Sequence, residues 1–399
     1  MGPSLSRYLD CCATTPPAAA VLETMARVQA EAWANPSSLH GFGLAAAEQL
    51  ERSRQGLAEL LGCDGQELLF TSGGSESIHL ALLGSAAALE QRGEPPGRLL
   101  ISAVEHPATR GAAEQLQQRG WQLEHLPVDR CGVLDLEALQ TLLEPPTRLV
   151  SLIWGQSEVG TVQPVEQIGA LCRQAGVLLH VDAVQVVGHQ SLCFRELPVD
   201  LLSLAGHKLQ GPRGIGALLC RAGTPLIPCI AGGGQEGGLR AGTEPVVLAA
   251  GLEQALLLAQ QRLAAHGGLD PLAALRDQLL QRLLQLPGLS LSGPDPRRAA
   301  TGQRLPHHLS LLVADASGRP LPGRQLVQAL WREGFAVSSG SACSSGRAGP
   351  SAVLLALGYS PELAGSGLRL SLGPWHDADL LALLPPALER ACQRVAAGG

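Results

Sequence analysis

The chain carries little charge and nowhere concentrates it. Charged residues make up 16% of its 399 residues, and 29 Lys and Arg against 35 Asp and Glu leave a net charge of −6. The basic residues are scattered and form none of the stripes that follow a phosphate backbone, which argues against a direct nucleic-acid partner. No apolar run reaches the roughly 18 residues that suggest a membrane span. The opening MGPSLSRYLD has no basic segment followed by an apolar core. The expectation is a cytoplasmic protein without membrane contact. Ten cysteines are present, Cys11 and Cys12 adjacent and the others widely spread. None forms a C-x-x-C pair or stands with His at zinc-finger spacing, so neither a structural metal site nor a disulfide-stapled secreted fold is expected.

What is present is apolar and turn-rich. Hydrophobic residues reach 45%, with 48 Gly and 28 Pro in no collagen-like period, as in a folded globular protein. The length exceeds what one core usually supports, so two domains are expected. Residues 16–258 read as a large α/β domain, and residues 1–15 with 259–399 as a smaller α+β domain. In the first, short apolar segments at 67–71, 98–103, 148–154, 177–182 and 200–204 alternate with helical stretches. VLLHVD and RLVSLIW are continuous apolar runs, the pattern of parallel strands buried on both faces. A long helix expected over 246–265 leads to the second, where helices are expected over 269–286 and 324–333 and from 376 onward, with HHLSLLVAD as a strand.

Three segments hold candidate chemistry. In DLLSLAGHKLQGPRGIGAL a strand ends at Gly206, His207 and Lys208, making Lys208 a candidate for imine formation, although a strand-end lysine is more commonly a solvated charge. Asp182 ends VLLHVD, where a carboxylate needs a cationic partner or serves as a helix cap. LLFTSGGSESIHLAL joins a strand through Gly73, Gly74 and Ser75 to a helix. Such a turn presents backbone N–H groups and a positive dipole end to a phosphate, though a bare glycine turn with a serine cap explains it equally well.

Taken together with YLDCCATTP, ANPSSLHGFG, VEHPA, GGGQEGGLRAGTEP, SSGSACSSG and LRLSLG, in that order along nearly the whole chain, these segments resemble the cysteine desulfurases. These are class V aminotransferase-group, fold-type I enzymes that use pyridoxal 5'-phosphate. The resemblance implies a mainly parallel seven-stranded sheet covered by helices. It implies that Lys208 carries the cofactor, His106 stacks on its ring, Asp182 binds the ring nitrogen and Gln185 approaches the phenolic oxygen. Gly74, Ser75 and His207 would hold the phosphate, with Thr243 reaching the neighbouring site of a homodimer. Asn35 and Arg369 would clamp the substrate carboxylate. Cys343, on what reads as a mobile loop of small residues, would take sulfur from L-cysteine as a persulfide for acceptors such as an iron–sulfur scaffold. Lys208 and His106 would carry protons.

Three positions depart from the family pattern: Ser157 where a cofactor-facing asparagine is usual, Ala205 in place of a serine, and Gly237 in place of an arginine. They leave room for a weakly active, cofactor-binding scaffold for sulfur carriers. A selenocysteine or cystine lyase on the same scaffold is the other alternative.

Overall fold

The chain's computed structural model describes residues 4–298, 303–340 and 349–398. Leu-, Val- and Ile-rich segments form most of its strands, because side chains alternating across a strand can be buried on both faces only when neither set is polar. In chain order come β1 (Leu68–Thr71), β2 (Arg98–Ser102), β3 (Gln122–Leu126), β4 (Thr147–Ile153), β5 (Thr161–Val162), β6 (Leu178–Asp182), β7 (Leu201–Ala205) and β8 (Gly216–Cys220). All but β5 join one seven-stranded sheet in the order β1-β8-β7-β6-β4-β2-β3. β3, β2, β4, β6 and β7 are parallel neighbours. β8 is antiparallel to both β7 and β1, so β1 points the same way as the parallel set.

Each face of the sheet is covered. Leu99 and Ile101 of β2 pack with Ala112, Ala113 and Leu116 on one side. Leu100, between them, joins Val181, Leu252 and Leu256 on the other. The helix Val246–Ala264 buries Val246, Ala249, Leu252, Leu256, Ala259 and Leu263, a stripe at helical spacing that packs on the helices Ala19–Glu31 and Gly41–Leu61. Fully burying a leucine of this kind stabilises by roughly 1.5–3 kcal/mol.

A second core gathers β9 (Leu289–Leu291), β11 (His308–Val313) and β12 (Gly367–Ser371) into an antiparallel sheet of order β12-β11-β9, while β10 (Gln303–Arg304) pairs with β5. The helices Leu272–Leu283, Gly323–Arg332 and Leu384–Ala396 pack on this sheet, and Leu9 from the start of the chain is buried among them.

The strands expected at 67–71, 98–103, 148–154, 177–182 and 200–204 form within two residues of those bounds. β3 was not expected because it is an edge strand whose sequence QLEHL is mostly solvated and lacks an apolar run. β8 follows the glycine turn so closely that its residues read as part of that turn. The single helix expected from 376 is two, Ala378–Leu381 and Leu384–Ala396. Pro385 and Pro386 suit the first turn of a new helix and cannot continue an old one.

Candidate active site

Because β1, β2, β4, β6 and β7 point the same way, their carboxyl ends share one edge, where open parallel sheets bind ligands. The polar residues singled out in the sequence follow those ends. Gly74 and Ser75 come after β1, His106 after β2 and Ser157 after β4, while Asp182 ends β6 with Gln185 close behind. His207 and Lys208 form the turn after β7. All eight line one cavity of about 170 Å³, together with Cys12, Ala205 and Arg369.

The turn after β1 depends on glycine. Gly73 has φ of 152°, outside the range of other residues, and begins the helical run at Gly74. It backs onto β8, where a Cβ at Gly216 would lie 2.5 Å from the Leu204 carbonyl oxygen and 2.8 Å from the Gly73 Cα. Glu76, one residue beyond Ser75, accepts from the Ser72 N–H at 2.7 Å and pairs with Arg240 at 2.8 Å, which fixes the turn from the other side.

Lys208 is the chain's only lysine; every other Lys or Arg position is arginine. Its Nζ donates to the carbonyls of Cys12 at 2.6 Å and Ala13 at 2.8 Å. The same Cys12 carbonyl accepts from the Gln185 amide at 2.9 Å. His207 Nδ1 lies 3.1 Å from the Thr14 hydroxyl. The segment from Cys12 to Thr14 is therefore the back wall against which three candidate residues are placed.

Burial dominates the electrostatics. Asp182, 3% exposed, is pushed up to about 6 by desolvation, against the pull of the Val184 N–H and of Lys208. Desolvation also pushes Glu105 up to about 8, despite bonds from the Ser102 hydroxyl at 2.5 Å and the Ile153 N–H at 2.7 Å. His106 is held down at about 4 by burial, then by Lys208 and Arg110, so it is neutral at physiological pH. Its Nδ1 accepts from the Ala108 N–H at 3.1 Å, which leaves the proton on Nε2.

The second core supplies Arg369, on β12 and 1% exposed. Its guanidinium donates to Asp10 at 2.8 Å and to the Ser157 carbonyl at 3.1 Å. His308 also reaches that carbonyl, at 3.0 Å. Ser157 thus meets two side chains of the second core through its backbone while lining the cavity.

Two expected residues stand apart. Asn35 and Thr243 are exposed and do not line the cavity; the Asn35 side chain accepts from the Ser37 N–H at 2.9 Å. Gly237 lies in an exposed turn away from the cavity, with φ of 64°, a conformation that suits glycine and would strain arginine. Cys343 falls outside the described residues. Sequence reasoning missed Asp10, Cys12 and Glu105. The first two sit inside YLDCCATTP, which carries the family likeness but no local chemical pattern, and Glu105 adjoins His106 without any period to mark it.

Residues 7–383 match the aminotransferase class-V family. A curated relative, the cysteine desulfurase IscS of Dictyoglomus turgidum, is 36% identical over 97% of this chain and 95% of its own length. A cysteine desulfurase of Cereibacter sphaeroides is 40% identical over 96% of each. Among solved structures, a NifS-like protein superposes with a TM-score of 0.86 at 31% identity, covering 98% of this chain and all of that one. A site built at the strand ends of a mainly parallel sheet, together with these full-length likenesses, places the chain in the aminotransferase class-V family, among the cysteine desulfurases.

Proposed function

We propose that the protein is a pyridoxal-phosphate-dependent cysteine desulfurase, which takes sulfur from L-cysteine onto Cys343 and releases L-alanine. The carrying observation is that the only lysine, a neutral histidine and a buried aspartate converge on one cavity in a chain with full-length desulfurase relatives. The donor set fits the cofactor. Lys208 offers an amine for its aldehyde, Asp182 a carboxylate for its ring nitrogen, His106 a flat ring, and Gln185 an amide for its phenolic oxygen. Gly74, Ser75 and His207 offer a helix start, a hydroxyl and an imidazole for its phosphate. Ser157, shorter than asparagine, still offers one hydroxyl. When bound, the cofactor supplies an electron sink for the bonds being broken.

The chain's own residues do the rest. Asp182 carries a burial cost that a cationic ring nitrogen would offset. Lys208, once its amine is free, takes the substrate Cα proton, and neutral His106, with its proton on Nε2, is placed to give one and take it back. Arg369, aimed by Asp10 and the Ser157 carbonyl, binds the substrate carboxylate. The Cys343 thiolate attacks the substrate sulfur, and the resulting persulfide is passed to acceptor proteins such as an iron–sulfur scaffold.

The same reading assigns Thr243 to the neighbouring site of a homodimer and Asn35 to the substrate carboxylate. The exposure of Thr243 supports the homodimer, as does the apolar surface where Trp33, Leu39, Phe42 and Leu44 are all exposed. It also divides the chain into a cofactor domain at 16–258 and a smaller domain of 1–15 with 259–399, and places the protein in the cytoplasm. Among the described residues, no helix is long and apolar enough to cross a membrane. The test is alanine and sulfide release from L-cysteine by the cofactor-loaded protein, with and without reductant. Stoichiometric alanine supports the proposal. Sulfide with pyruvate in place of alanine would make it a lyase, and neither product would make it a scaffold.

A further inference from the structure

Cys12 lines the cavity, and its Sγ lies 3.3 Å from His307 Nε2. His307 is 1% exposed, and its ring stacks on that of His189 with centroids 3.8 Å apart and planes 16° from parallel. His189 Nδ1 is tied to the Asp270 carboxylate at 2.7 Å, and Arg262 reaches the same oxygen at 3.4 Å. A thiol with an imidazole beside it is the pair from which an activated nucleophile is built; His189 holds that ring by stacking alone, and among the described residues His307 Nδ1 has no hydrogen-bond partner. Burial, with His189, His308, Arg262 and Arg276 nearby, holds His307 well below the usual imidazole range, so it rests neutral and is a weak base; what favours transfer from the thiol is the 3.3 Å approach of Nε2 to Sγ. Burial raises the Cys12 thiol as well, while Arg369, Ser371 and Lys208 act to stabilise its anion.

We propose that Cys12, with His307 as its base, is a second sulfur-accepting thiol of this site, taking the outer sulfur of a small persulfide that enters the cavity. The proposal rests on the desulfurase reading only for why persulfides arise there. The Cys12 proton passes to His307 Nε2. The thiolate attacks the outer sulfur of R–S–SH, a new S–S bond forms at Cys12 and the R–S bond to that sulfur breaks. The departing thiolate RS⁻ takes the proton back from His307. One thiol and one persulfide become one persulfide and one thiol, so no oxidant is required.

Cys11 is the built-in control. It adjoins Cys12 and is equally buried, at 4% exposed against 2%. It does not line the cavity, and among the described residues no histidine hydrogen-bonds to it. Asp10 raises both thiols, but Arg369, Ser371 and Lys208 act to lower only that of Cys12.

The experiment uses the full-length, cofactor-loaded Cys343→Ala protein and the persulfide of mercaptoacetate. This probe has no amino group, so the cofactor cannot process it. After alkylation, peptide mapping should find one added sulfur on Cys12 and none on Cys11. Cys12→Ser should abolish the capture, and His307→Gln should slow it by roughly a hundredfold, the usual yield of a positioned base. Equal labelling of Cys11 and Cys12, or no label on Cys12 in folded protein, would overturn the proposal, as would an unchanged rate in a folded His307→Gln variant. Capture at Cys12 in the Cys343→Ala protein, while the wild-type protein makes no alanine from cysteine, would sink the desulfurase reading and leave this one standing.

Discussion

The two cores contribute to the site in different ways. The central sheet supplies Asp182 from the last residue of β6, and His106 and Lys208 from the first few residues beyond β2 and β7. The second core supplies Arg369 from within a strand, pairs it with Asp10 beside that strand and reaches the sheet through the Ser157 carbonyl. The difference teaches a division of labour. On the proposed reading, the groups that would touch the cofactor belong to one rigid layer, and the group that would select the substrate belongs to another whose placement depends on contacts between the layers. Changes in the sheet should move the cofactor spectrum, whereas changes in the second core should move KM and spare it.

The largest effect is expected at Lys208. Lys208→Ala should abolish the near-visible cofactor band and lower alanine production by about a thousandfold or more. Retention of the band would break the comparison at its strongest point. Cys343→Ser should lower alanine production by a similar factor, roughly a thousandfold, yet leave the cofactor band and the melting temperature unchanged. A drop in melting temperature with activity retained would instead mark Cys343 as a packing residue.

Asp182 tests the sheet without cofactor. Its folded value of about 6 lies above the usual 3.8, so the apoprotein binds more protons than the unfolded chain between those values. Apoprotein stability should therefore fall as pH rises from about 4 to about 6, by an upper estimate of about 3 kcal/mol. Asp182→Asn should flatten this dependence and raise the apoprotein melting temperature at pH 8. A variant less stable than wild type at pH 8 would contradict the assigned burial cost.

For the second core, Arg369→Lys should raise KM for cysteine by roughly 30-fold, about 2 kcal/mol for a lost charge-assisted contact, with the cofactor band in place. Asp10→Asn, which only loosens the aim of Arg369, should raise KM by about fivefold. A shifted cofactor band in either variant would show that the two layers do not act separately.

The sequence made the sheet's part of the site readable and left the second core's part mostly hidden, for a physical reason. Strand ends are marked by an apolar run that stops, so Asp182 and Lys208 stand out beside VLLHV and LLSLA. Arg369 has no such marker, because an arginine in LRLSL is indistinguishable from an outward-facing strand residue until the partner Asp10 is known, 359 positions away. Cys12 and Glu105 were hidden likewise, since their roles come from His307 and from the Ile153 N–H, which only folding brings near. Asn35 and Thr243 entered on resemblance alone, and a single chain leaves them at its surface.

The central claim, that the cofactor is held covalently on the sheet at Lys208, is tested most directly by borohydride reduction of the cofactor-loaded protein followed by peptide mapping. Because the chain has no other lysine, reduction should fix one cofactor per chain on the peptide containing His207 and Lys208. Cofactor that washes away after reduction, or that is found on the N-terminal amine, would contradict the account.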